Sequence, residues 1–152
     1  MGFDVYGLSP KVNKDTPYLP EIDYATATNK ERNEYFDKRQ QFEKEVPGYY
    51  FRANVWYWRP LWDMVCLFCD NVLTEKDMTG GQYNDGHKIS KTKSKRIASK
   101  LRMLRKKGTL EQWVNTRQTK MIQEVDAEYP CNMDIINEFI TFIEQSGGFE
   151  IF

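Results

Sequence analysis

The sequence predicts a mostly helical α+β fold: one domain over residues 1–152, with a small antiparallel sheet involving the N- and C-terminal strands. Three observations lead there. Phe3, Val5 and Tyr6 lie among polar neighbours at one end of the chain, and Phe149-Glu-Ile-Phe152 alternates at the other. Between them, apolar residues recur mostly at helical spacing. With 152 residues, 40% of them hydrophobic, the chain is long enough to bury roughly two-thirds of its unfolded surface in one core.

The first strand should end at Gly7 and Pro10, followed by a proline-containing loop to Pro20. Asn29 is the expected cap of a helix to about Glu45, whose sparse apolar stripe is Tyr35, Phe36 and Phe42, so the helix should be peripheral. Tyr49 to Trp58 reads as a strand or extended loop, and Pro60 as the first turn of the next helix. Leu61, Met64, Val65, Phe68 and Val72, widened by Cys66, Leu67 and Cys69, make that helix apolar almost all round and therefore central. Residues 79–86 form a glycine-rich loop. Ser90 caps a basic helix to about Lys107, with Ile97, Ala98, Leu101 and Leu104 inward and Gly108 as its C-terminal glycine. Thr109-Leu-Glu-Gln112 reads as a capping box for a helix burying Trp113, Val114, Met121, Ile122 and Val125. Pro130 breaks the chain, and a last helix from about Met133 to Gln145 packs Ile135, Ile136, Phe139, Ile140 and Ile143.

Composition excludes several classes. No apolar run approaches the roughly 20 residues that span a bilayer. The opening residues lack a basic region and carry Asp4, so no signal peptide is expected; Tyr6 stands where a myristoylation signal wants Ser or Thr. Three cysteines then point to a reducing, cytoplasmic location. Net charge is zero but unevenly spread: residues 88–107 hold ten Lys and Arg and no acid, whereas residues 108–152 hold eight acids against two bases.

Gly48-Tyr-Tyr-Phe-Arg-Ala-Asn-Val-Trp-Tyr-Trp-Arg-Pro-Leu-Trp62 has seven aromatics in fifteen residues. Together with Met1-Gly-Phe-Asp-Val-Tyr-Gly7 and Ser146-Gly-Gly-Phe-Glu150 it resembles an uncharacterised family of small bacterial and phage proteins; Tyr83-Asn-Asp-Gly86 is similar to a further family element. The resemblance covers the chain apart from residues 11–47, which it implies are a peripheral insertion. It implies a bacterial or phage setting, with the host cytoplasm as location if phage-encoded, and supplies no activity.

Four groups of residues carry candidate chemistry. In an extended segment Arg52, Asn54, Trp56 and Trp58 share one face; with Arg59 and Trp62 they offer rings to stack and guanidinium groups to fork onto phosphate. The other reading is an aromatic core, with Arg59 paired to an acid such as Asp63. Asn84, Asp85, His87 and Lys88 combine a donor-rich loop with the positive start of a helix, suited to an anion or merely a turn. The basic run 88–107 suits nucleic acid, or is a solvated face. Cys66-Leu-Phe-Cys69 reads as a pair of buried thiols, because a zinc site would consume every Cys and the single His. Asp63 and Asp70 lie about 10 Å apart by helix rise, too wide for a cooperating carboxylate pair.

The resulting expectation is a binding protein, not an enzyme, with no cofactor and no metal. Its expected ligand is small, anionic and nucleotide-like; in a phage setting, binding would sequester a nucleotide signal of host defence. The alternatives are a nucleic-acid-binding or protein-inhibitor module acting through residues 88–107, and a small hydrolase using His87 and Asp85. A homo-oligomer is also open.

Overall fold

The computed structural model describes residues 1–123 and 131–152 of the chain, with side chains described for 1–120 and 131–152. Four antiparallel strands form one sheet in the order β2-β1-β4-β3. They are β1 (Gly2–Gly7), β2 (Tyr50–Asn54), β3 (His87–Ile89) and β4 (Phe149–Ile151). The first and last strands pair as expected, with Val5 opposite Ile151 and Gly7 opposite Phe149. Alternation sends Phe3, Val5, Phe51, Ala53, Ile89, Phe149 and Ile151 to one buried face. Asp4, Tyr6, Tyr50, Arg52, Lys88 and Glu150 point to the other, where Asp4 stands opposite Arg52 and Lys88 opposite Glu150.

The helices α2 (Val55–Phe68) and α6 (Met133–Gln145) cover the apolar face, α4 (Lys91–Lys106) and α5 (Thr109–Gln123) pack on them, and the short α3 (Glu75–Gly80) lies beside β3. The stripe of α6 is the most sharply divided, burying Ile136, Phe139, Ile140, Phe142 and Ile143. The stripe read for α4 is buried in full. The helix α1 (Asn29–Glu45) has no buried residue and meets the polar face of the sheet at one corner. There Phe42 contacts Tyr49 edge-on, and Arg39 lies 5.3 Å from the centre of the Tyr50 ring.

Several expectations are corrected. The cap of α1 is Thr28, not Asn29: its hydroxyl accepts from Glu31 N–H while Glu31 accepts from Thr28 N–H, satisfying two orphan donors reciprocally. Thr109 lies inside α5, because Gln112 N–H donates to Gly108 C=O; the left-handed Gly108 ends one helix and opens the next, leaving no residue for a separate capping box. Two elements not expected from the sequence are α3 and β3, both too short to show a period. The central helix is apolar on fewer faces than expected, since Leu67 is exposed, Cys66 half-buried, and the chain leaves the helix at Cys69 before Val72. The expected burial of Met121, Ile122 and Val125 and the break at Pro130 fall outside the residues or side chains described.

The largest correction concerns α2. The chain is extended only to Asn54, whose side chain accepts from Tyr57 N–H at 3.0 Å and starts the helix. Asn is among the best N-cap residues, and Trp58, Leu61, Trp62 and Val65 then fall at i, i+3, i+4, i+7, all fully buried. Pro60 therefore sits inside the helix rather than in its first turn. It forfeits the bond that its missing N–H would give to Trp56 C=O.

Candidate functional site

The helical start at Val55 dissolves the expected ligand-facing row. Trp58 and Trp62 are fully buried, stacked at 5.7 Å and 10° between planes, with Phe3 against the other side of Trp58. They are core, and cannot line a ligand pocket. Their indole N–H groups donate to the backbone: Trp58 to Gly81 C=O at 2.8 Å, and Trp62 to Met78 C=O at 2.9 Å. The two rings thereby pin α3 and the glycine-rich loop to α2. Gly81 permits this, since a Cβ there would sit 2.0 Å from the Trp62 ring.

Arg52, Asn54, Trp56 and Arg59 remain exposed. Arg52 lies 3.6 Å from Asp4 across the strands, and Asn54 is spent on its cap. Trp56 is half-exposed, and Arg59 stands one turn further along the same side of α2. Asp63 on that side accepts from Gln82 Nε2 at 3.2 Å, so the loop, rather than Arg59, partners it.

The second group also separates. Asn84 and Asp85 are exposed in the loop, while the adjacent His87 and Lys88 point to opposite faces of β3. Lys88 pairs with Glu150 at 3.7 Å. Arg52 on β2 and Lys88 on β3 occupy opposite edges of the sheet, three strand spacings or roughly 14 Å apart. Arg52 borders one cleft, and Asp85 and His87 another.

What the sequence reading missed is Asp77. This carboxylate is buried at the start of α3, closes a capping box with Thr74, and takes hydrogen bonds from Lys93 Nζ and, at 3.1 Å, His87 Nε2. Burial raises its pKa, but Lys93, Thr74 and His87 together outweigh burial and hold it well below the usual carboxylate range. The carboxylate beside His87 is thus Asp77, not Asp85. The only signal was Thr74-x-x-Asp77, a capping box before a short helix. His87 lies against Gly80, where a Cβ would come within 2.4 Å of the imidazole. Above it opens a shallow cleft of about 600 Å³, walled by Glu75, Lys76, Thr79, Tyr83 and Asp85. Two acids against one base make it a poor host for phosphate.

The basic run sorts into two sets. Lys88, Lys93, Arg102 and Arg105 are engaged by Glu150, Asp77, Glu144 and Asn137. Lys91, Lys95, Arg96, Lys100, Lys106 and Lys107 have no ion pair among the described residues. At 3.6 residues per turn these six fall within about 180° of helix surface. Lys95, Arg96 and Lys100 border a groove of about 370 Å³ with Ser99 and Asn71.

Burial pushes the Cys66 thiol up to about 12, helped by Asp63; burial likewise raises Cys69 and Cys131 to about 11. The three thiols are free, and no group of three or more His, Cys, Asp or Glu able to hold a metal occurs among the described residues. In native protein at pH 7.5, alkylation by iodoacetamide should be slow at all three and rapid once urea unfolds the chain. Mass spectrometry of the modified protein over time measures both rates. Fast native labelling of Cys69 would contradict its burial.

No helix among the described residues is long and apolar enough to cross a membrane. Comparison with known proteins finds no matching family model, no matching curated protein and no matching solved structure.

Proposed function

We propose that the protein is a binding module for a phosphate-rich partner, nucleic acid above all, engaged through the exposed arc of α4. The observation that supports this is the set of six cations, five on one half of α4 and the sixth its C-cap Lys107, without an ion pair among the described residues. A polyanion needs no enclosed pocket; it exchanges condensed counterions for lysines and arginines along a surface. Small ligands are instead mostly engulfed by their sites, and the cleft at His87 is open and acid-lined.

A second reading is the small nucleotide-like ligand. It is favoured by Trp56 and Arg59, exposed one turn apart on α2, which offer a ring for a base and a fork for a phosphate.

One set of titrations tests both. Short DNA and RNA duplexes and single strands should bind with log Kd rising steeply with log salt. Lys95→Glu, Arg96→Glu and Lys100→Glu together should weaken binding at 100 mM salt by about 100-fold or more, and lower the salt slope by roughly three. No salt-dependent binding by the wild type rejects the first reading. For the second, calorimetry with linear and cyclic nucleotides should show Trp56→Ala weakening a ligand about tenfold or more, without response to the α4 reversals.

A further inference from the structure

The sheet ends on one side at β2, and the polarity of its free edge follows from the ladder. Asp4 exchanges both backbone hydrogen bonds with Phe152, at 2.6 and 2.8 Å, so its N–H and C=O point towards β4. Alternation then directs Phe3 and Val5 towards β2, and Gly7 N–H donating to Tyr49 C=O at 2.9 Å continues the same register. On β2, Phe51 and Ala53 therefore face β1. The N–H and C=O of Tyr50 and Arg52 face away from the sheet, and no other hydrogen bond engages them among the described residues. Four backbone groups stand ready to pair.

These groups open onto a groove of about 430 Å³ between β2 and α6, closed at one end by Glu43 and Pro47. Its α6 wall carries Asn137, Glu138 and Thr141 over the buried ring of Phe142. Glu43 is paired with Arg39 at 2.8 Å, whereas the exposed Glu138 has no ion pair among the described residues. Among the described residues no further strand pairs with this edge, and no proline lies within β2.

We propose that β2 is a docking edge, where an extended segment of a partner protein adds a fifth strand between β2 and α6. Backbone groups of Tyr50 and Arg52 hold the main chain. Side chains on the inward side of the added strand meet Thr141 and Glu138, so the segment that fits carries lysine or arginine there, alternating with β-branched residues. Two-fold pairing with a second copy of this chain centred on Arg52 would set that residue directly opposite its own arginine, and like charges so placed repel.

Hydrogen exchange followed by NMR tests this on the full chain, with the capped peptide Lys-Val-Lys-Val-Lys-Val-Lys as probe and Glu-Val-Glu-Val-Glu-Val-Glu as its control. In free protein the Tyr50 and Arg52 amides should exchange quickly. Saturating Lys-Val peptide should slow both at least tenfold, the Glu-Val peptide neither. Glu138→Lys, at an exposed site, should weaken the Lys-Val peptide about fivefold, the range of an exposed ion pair. Arg52→Pro, which removes a donor from the edge, should abolish protection at Tyr50. Unchanged exchange with the Lys-Val peptide overturns the proposal. So does protection already present in free protein at dimer mass, which would assign the edge to a second copy. Equal binding by wild type and Glu138→Lys overturns the assigned chemistry of the partner.

Discussion

Trp58→Ala is expected to remove a large share of the protein's stability, about 3–5 kcal/mol from the lost aromatic volume. The ring is fully buried between Phe3 at 5.2 Å and Trp62 at 5.7 Å, with Phe139 edge-on at 5.9 Å. Three elements meet on it, so neighbours cannot collapse far into the space. Truncation also strands Gly81 C=O, which accepts the indole N–H in a buried site and loses its partner. Domains of this size are stable by about 5–15 kcal/mol, and each kcal/mol moves Tm by roughly 2–4 °C, so a drop of about 10 °C or more should follow. Trp58→Phe helps separate the two contributions: it keeps most of the packing, loses the hydrogen bond, and should cost about 1–3 kcal/mol. Thermal and urea unfolding of both variants measures this. A Trp58→Ala protein of wild-type stability would show the ring to be dispensable to the core.

Asp77→Asn should be the next most damaging change, lowering stability at pH 7 by about 3 kcal/mol. The substitution leaves Lys93 and His87 without their common anion, and loosens the capping box that starts α3. Lys93 is partly exposed and regains water, which holds the loss near the lower end for broken buried pairs. The pH dependence has a definite sign. The folded pKa of Asp77 lies below its ordinary value of 3.8, so its contribution is fully present above about pH 4. It is lost as pH falls through the folded value. Wild type and Asp77→Asn should therefore differ most in urea midpoint at neutral pH, and converge in strong acid. A constant difference from pH 7 to pH 2 would mean that the variant loses packing rather than an ionised carboxylate.

Much of the fold was legible because it depends on short-range pattern. The 3.6-residue period of α4 and α6, Ser90 and Gly108 at the ends of α4, and the alternation at both termini each record a local preference that packing reinforces. The pairing of β1 with β4 was open to anticipation from two short apolar strands, each needing a partner. α2 was misread for an equally physical reason. Aromatic and β-branched residues favour strands, and Pro60 resembles a first helical turn, yet the cap at Asn54 and burial of Trp58 and Trp62 decide otherwise.

The candidate sites were legible only as residue types. Sequence alone determined that rings and arginines cluster between Gly48 and Trp62, that ten cations run without an acid from Lys88 to Lys107, and that His87 follows a glycine-rich loop. Tertiary structure decided which of them water can reach. It turned two tryptophans into core, because a helix presents every third and fourth residue to the same neighbour. It placed Arg52 and Lys88 on opposite edges of a sheet whose strand order no local pattern encodes. It brought Asp77 to His87 and Lys93 from ten and sixteen residues away, because a buried carboxylate must find donors wherever the fold supplies them. The free edge of β2 is likewise a property of strand order: the same five residues, one position further into the sheet, would have no unpaired backbone at all.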